Sequence, residues 1–197
     1  MSSFFFPFAV AARYTPGIIS TKAMIKRGLD VVGALIGIII AGIPMIIVAI
    51  GVKITSPGPV FFKQERVGLN KKPFKMIKFR SMKVNVDHNG WSTNDDDRKT
   101  KFGSFIRKVS LDELPQLFNV LAGHMSLVGP RPELPVFVSQ FKEEIPLYLV
   151  RQQIRPGMTG WAQVNGLRGD TSIEETDRAV STTLHLFVSR KLTDGAG

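Results

Sequence analysis

Residues 31–52 read VVGALIGIIIAGIPMIIVAIGV, 22 positions without a charge. As a helix rising about 1.5 Å per residue this segment reaches roughly 33 Å, just enough to cross the hydrocarbon core of a bilayer. Two features argue against a simple crossing. Gly42-Ile43-Pro44 stands at its centre, where the proline lacks a donor and its ring crowds the preceding turn, so a bend or break is expected near Pro44. Both flanks are basic, with Lys22, Lys26 and Arg27 before it and Lys53, Lys63 and Arg66 after it. The cytoplasmic-positive bias therefore does not assign the two ends to opposite sides. The expectation is a re-entrant helix, broken near Pro44, that dips into one leaflet and returns. A plain span and a buried core helix are the alternatives.

Outward from this segment the chain divides into four parts. Residues 1–22, beginning with Phe4-Phe5-Phe6-Pro7-Phe8, form an apolar extension too short before Arg13 to span a bilayer. It lacks the basic start of a cleavable signal peptide, so the chemistry is expected in the cytosol. The membrane helix occupies 23–54, a catalytic domain 55–178, and an atypical tail 179–197. Within 55–178, Thr55-Ser56-Pro57-Gly58-Pro59 breaks the helix, and Val60–Gln64 and Phe74–Met82 read as the strands of a hairpin turning near Gly68-Leu69-Asn70. In the second strand Phe74, Met76 and Lys78 share one face, and Lys75, Ile77 and Phe79 the other. Asn85–Lys101, with Asp95-Asp96-Asp97, is a polar loop whose acids are a solvated turn rather than a metal site.

Two amphipathic helices follow. Phe102–Val109 gathers Phe102, Phe105, Ile106 and Val109 on one face, and Leu134–Tyr148 repeats Phe137, Val138 and Phe141. Either face suits a core or a membrane interface, with core packing the first reading of the second helix. The fold class is α+β: a membrane helix, a helix-rich cytosolic domain with amphipathic interfacial helices, and a small β-hairpin.

Composition narrows the chemistry. The chain has 197 residues, is 44% hydrophobic and contains no cysteine, which permits one core and removes thiolate nucleophiles and disulfides. Its formal charge of +10 calls for an anionic partner. Nucleic acid is a poor match, because the basic residues are interleaved with turns and do not form an aromatic-rich or helical reading surface.

The informative run is Ser110-Leu111-Asp112-Glu113-Leu114-Pro115-Gln116. Ser110 and Glu113 have capping-box spacing, which would place Asp112 in the first turn of a helix. If the helix instead starts at Pro115, the acids sit just before its positive end. In both cases the carboxylates are expected to stay ionised, able to attack phosphorus or to hold Mg²⁺. On spacing alone an ordinary helix cap is the commoner outcome. Around the run stand Arg107, the stiff turn Gly129-Pro130-Arg131-Pro132, and Arg155-Pro156-Gly157 followed by Trp161, Gln163, Asn165 and Arg168. These supply guanidinium groups for phosphate and amides that can read a base or a sugar.

In this order, Lys26-Arg27-Gly28-Leu29-Asp30, the proline-interrupted segment, Lys78-Phe79-Arg80-Ser81-Met82, Ser110-Leu111-Asp112-Glu113, Gly129–Pro132 and Arg155–Gly166 resemble the bacterial sugar transferases, the monotopic phosphoglycosyl transferases. The resemblance runs from about Lys26 to Arg168. It implies a re-entrant helix and a ping-pong transfer of sugar 1-phosphate from a UDP-sugar to undecaprenyl phosphate at the cytoplasmic face of a bacterial inner membrane. It makes Asp112 the nucleophile and Glu113 its partner, both bearing on Mg²⁺. Lys78, Arg107 and Arg131 become phosphate ligands, with Arg80, Arg155, Gln163 and Asn165 in the same substrate site. Membrane phospholipid is an implied partner, a homodimer is allowed, and Leu167–Thr171 looks more like members that use neutral hexoses. The sequence departs from the family at His124, where many members carry an acid, and in the tail after Arg178. A non-catalytic, membrane-anchored scaffold that binds anionic lipid or partner enzymes is the competing reading.

Overall fold

The computed structural model describes residues 21–83, 100–145, 148–166 and 178. The expectations placed on residues 1–20, on Asp95-Asp96-Asp97, on Leu167–Thr171 and on the tail 179–197 lie outside the described residues.

The uncharged segment is the middle of one helix, α1 (Thr21–Thr55), which runs through Pro44 without interruption. Here the structure departs from the expected break. A proline removes one backbone hydrogen bond and leaves those of neighbouring turns in place. The half beyond it is held by tertiary packing, with Val48 and Val52 buried against Phe79 and Ile106. One stripe of α1, including Asp30, Ala34, Val48 and Val52, is buried, whereas Ile39, Ile43, Ile46, Ile50 and Ile54 are exposed. Only 22% of its most apolar stretch is buried, which separates it from the core helix of a globular domain. Close approach on the buried stripe depends on glycine. A Cβ at Gly51 would lie 2.3 Å from the Phe102 ring, and one at Gly33 2.6 Å from Leu127.

Against this stripe the remaining elements form a mixed helix and strand layer. Strands β1 (Phe61–Val67) and β2 (Pro73–Phe79) make an antiparallel hairpin in which Lys63 faces Ile77 and Arg66 faces Phe74. Its connection is a single 3₁₀ turn with Asn70 and Lys71 at positive φ. Helix α2 (Lys101–Lys108) is capped by Thr100, whose hydroxyl accepts from the Gly103 amide at 2.8 Å. Its predicted apolar face divides: Ile106 is buried and Phe102 packs on α1, while Phe105 and Val109 stay exposed. Helix α3 (Gln116–Leu121) lies between α1 and β2, with Leu117 and Val120 in one core with Ala34, Phe74 and Met76.

Strand β3 (Ser126–Val128) follows, then α4 (Pro135–Glu144), a 3₁₀ helix over Tyr148–Gln153, β4 (Gly157–Thr159) and α5 (Trp161–Val164). Phe137 and Val138 pack on a small core of Phe141, Ile145 and Tyr148, as the first reading of that helix expects. Strands β3 and β4 pair in parallel, Ser126 with Gly157 and Val128 with Thr159. That pairing brings the Gly129-Pro130 and Pro156-Gly157 turns together: Gly157 N donates to Pro130 O at 2.9 Å and Gly129 N to Thr159 O at 2.8 Å. The backbones touch so closely that a Cβ at Gly157 would meet Gly129 N at 2.1 Å.

Candidate functional site

Asp112 and Glu113 occupy a one-turn 3₁₀ segment, Leu111–Glu113, just ahead of α3. The capping-box alternative gives way here to the other one. Ser110 adopts a left-handed conformation (φ 58°, ψ 20°) that points it away from a capping role, and its side chain makes no cap hydrogen bond. Pro115, in helical geometry, precedes the helix instead.

Position along the chain does not bring the acids to cations; Asn119 does. Its side chain is buried on α3 and bonds the outer edge of β2, accepting from Ile77 N at 3.0 Å and donating to Lys75 O at 2.9 Å. The helix is thereby registered on the strand so that Lys78 Nζ lies 2.9 Å from Glu113 Oε1. Arg131 Nη1 approaches the same oxygen at 4.0 Å. Lys78, Glu113 and Arg131 line a cleft of about 220 Å³ together with Arg66, Gln116 and Met158.

Asp112 is 7% exposed. Burial pushes its carboxyl above the usual carboxylate range; Lys78 opposes this, the Glu113 charge adds to it, and Arg107 opposes it. The ionised form is thus less comfortable than a place near a helix N-terminus predicts, because loss of solvation outweighs the nearby cations. Arg107 itself is exposed at the end of α2.

The other predicted ligands take different partners. Arg80 is buried, and its terminal nitrogens donate to Pro57 O at 2.5 Å and Ser56 O at 2.6 Å. It ties the end of α1 to β2, so its charge is engaged away from the acids. Arg155 Nε donates to Gly123 O at 2.8 Å, beyond the C-terminal end of α3. Gln163 reaches back weakly to Met158 O at 3.4 Å, and Asn165 donates to Trp161 O at 2.8 Å on the exposed side of α5. His124 stacks on Phe74 with ring centroids 5.8 Å apart.

For Mg²⁺ the carboxylates available beside Lys78 are those of Asp112 and Glu113, and no group of three or more His, Cys, Asp or Glu forms among the described residues. Two carboxylates fit a magnesium ion that arrives with a diphosphate, since that ion keeps water and substrate oxygens in its shell. They do not make an all-protein cage.

Several contributors escape a reading by motif. Asn119, Gln116, Arg66 and Glu133 are polar residues that become partners only across elements. A signal for α1's inner stripe was present in the chain, since Gly33, Gly37 and Ala41 recur every fourth residue on one helical face.

The family model described as bacterial sugar transferase matches residues 21–187. A UDP-glucose:undecaprenyl-phosphate glucose-1-phosphate transferase of Xanthomonas campestris pv. campestris is 54% identical over 130 residues, covering 64% of this chain and 27% of the relative. The protein of the same name from Escherichia coli (strain K12) is 42% identical over 178 residues, 89% of this chain and 38% of its own length. An Aeromonas hydrophila UDP-N-acetylgalactosamine-undecaprenyl-phosphate N-acetylgalactosaminephosphotransferase is 50% identical over 144 residues, 72% of this chain and 34% of its own. The chain therefore spans about a third of the length of these relatives.

Proposed function

The chain belongs to the bacterial sugar transferase family, and from that membership we propose that it transfers a sugar 1-phosphate from a UDP-sugar to undecaprenyl phosphate with release of UMP. The observation that carries this reading is the buried Asp112 next to Glu113, with Lys78 and Arg131 converging on the same carboxylate.

In the first step an Asp112 oxygen attacks the β-phosphorus of the donor. The bond from that phosphorus to the bridging oxygen breaks, and UMP leaves with the electron pair. In the second, an oxygen of undecaprenyl phosphate attacks the same phosphorus and Asp112 departs as carboxylate, leaving a sugar diphospholipid. Splitting the transfer in this way needs an anionic nucleophile and cations that neutralise the leaving phosphate. Lys78, Arg131 and the exposed Arg107 take the second role, and Glu113 holds Lys78 and Arg131 in place between turnovers. Asp112 and Glu113 would hold Mg²⁺, which supplies charge neutralisation on the diphosphate oxygens.

The membrane reading rests on how the domain grips α1. Near its start Arg27 donates to Val120 O and Leu121 O, and Asp30 accepts from Leu127 N. Near its end Gly51 abuts Phe102, and Arg80 holds Ser56. A domain on one face of a bilayer reaches both ends of a helix only if that helix does not cross the bilayer. This supports a monotopic enzyme on the cytoplasmic face of the inner membrane, with the exposed isoleucine face in phospholipid. Cysteines introduced near residues 24 and 55 should then be labelled from the same side; opposite accessibility restores the plain span.

The named relatives use different donors, glucose in two cases and N-acetylgalactosamine in one. We take a neutral hexose as the donor here. The test is UMP release across UDP-glucose, UDP-galactose and UDP-N-acetylated sugars, together with trapping of labelled phosphosugar on the protein before acceptor is added. Asp112→Asn should abolish both. Normal turnover by that variant would remove Asp112 as nucleophile, and absence of UMP from every donor would favour the lipid-binding scaffold.

A further inference from the structure

The arginine that faces Glu113 sits in a turn that cannot fix itself. Pro130 and Pro132 flank Arg131 and offer no backbone donors, and the strand-like bonds stop at Pro130 O. The next two carbonyls are held by arginines from other elements. Arg131 O accepts from Arg151 Nη2 at 2.5 Å, and Pro132 O from Arg66 Nη1 at 3.1 Å.

Between these two guanidinium groups lies the carboxylate of Glu133, itself 8% exposed. Its oxygens are 3.8 Å from Arg66 Nη1 and 4.0 Å from Arg151 Nη2. Its main-chain oxygen accepts from Val67 N at 2.9 Å, which ties the turn to β1. Arg151 is fixed once more by the ring of Tyr148, 5.2 Å from its guanidinium carbon, and that ring packs edge-on against Phe141 at 5.6 Å. Burial pushes the Tyr148 hydroxyl up to about 12, so the ring stays neutral. Arg66 lines the cleft that holds Glu113, Arg151 lines a second cavity on the other side of the turn, and Arg131 borders both. The turn is a wall held from each side.

We propose that Arg66 and Arg151, joined by Glu133, are positioning residues that set the Arg131 guanidinium against the diphosphate of the donor. In each arginine one terminal nitrogen meets both a carbonyl and the Glu133 carboxylate, and the planar guanidinium holds that nitrogen in a fixed direction, which a flexible ammonium group does not. The inference rests on the function proposed above. It adds that phosphate recognition by Arg131 depends on residues that need not touch the substrate, since a displacement near 1 Å costs about 100-fold in a positioned reaction.

The test is a double-mutant cycle on the full chain in nanodiscs, reading UDP affinity in the presence of Mg²⁺ and kcat/KM for UMP release. Arg151→Lys should weaken UDP binding about 10-fold and lower kcat/KM by a similar factor, chiefly through KM. In an Arg131→Met background the same change should cost less than about 2-fold, because the group it acts through is gone. Glu133→Gln, nearly isosteric, should reproduce the pattern and replaces Arg151→Lys if the lysine variant does not fold. Equal losses in both backgrounds, or no loss in either, would overturn the inference. Wild-type protein that neither binds UDP nor releases UMP would instead overturn the functional reading beneath it.

Discussion

At one end of α3, Glu113 meets Lys78 and the Arg131 turn beside the buried Asp112. At the other, the carbonyls of Val120, Leu121 and Gly123 accept from Arg27 and Arg155. Both ends thus receive an arginine from an Arg-Pro turn, and in the sequence Gly129-Pro130-Arg131-Pro132 and Arg155-Pro156-Gly157 look like two versions of one device. They do different work. The C-terminal end uses cations where the helix runs short of amide donors for its last carbonyls, which stabilises the fold. The acidic end holds a carboxylate that burial makes costly, which suits a reacting group and does not help the fold.

Three changes would break or sharpen that contrast. Short of removing the nucleophile, the largest effect is expected from Arg131→Met, with kcat/KM for UMP release down about 100-fold and thermal stability nearly unchanged. Arg155→Met should do the reverse, lowering unfolding free energy by about 1 to 2 kcal/mol in a denaturant titration while kcat/KM for properly folded protein stays within a few-fold. A large catalytic loss with normal stability in Arg155→Met would return that residue to the substrate site. Of the two changes that move stability, the smaller shift is at Asp112. Its carboxyl is raised above its unfolded value, so its contribution to stability is most favourable below the unfolded pKa and is lost as pH rises through the folded one. Asp112→Asn should therefore raise stability at pH 7 by on the order of 1 kcal/mol while activity disappears. The same shift should place the acid limb of kcat/KM above the range of an ordinary aspartate.

Much of the fold was legible. The apolar run gave α1, period-two alternation placed Met76 and Lys78 on one face of β2, and both residues line the cleft. Thr100 ahead of Lys101–Lys108 and Pro135 at the start of α4 are local signals that the structure uses. The site was less legible. Lys78, Arg107 and Arg131 were named from motifs, yet Arg80 in the same Lys78–Met82 motif turns to Ser56 and Pro57, because it lies one residue past the end of β2, beside the end of α1, and a buried guanidinium takes the nearest carbonyls. Pro44 was read as a break, but helix continuity there depends on what packs against the second half.

The sequence by itself determined the length and apolarity of α1, the stiffness of the Arg-Pro turns and the presence of paired acids ahead of α3, since each depends on bonding within a few residues. Only the tertiary structure decided which arginine serves the acids and which caps a helix, and which glycines admit the domain to α1. Those outcomes follow from contacts between residues as far apart as Arg27 and Val120, or Lys78 and Glu113. Distance and burial set their energies, and neither is written in local spacing.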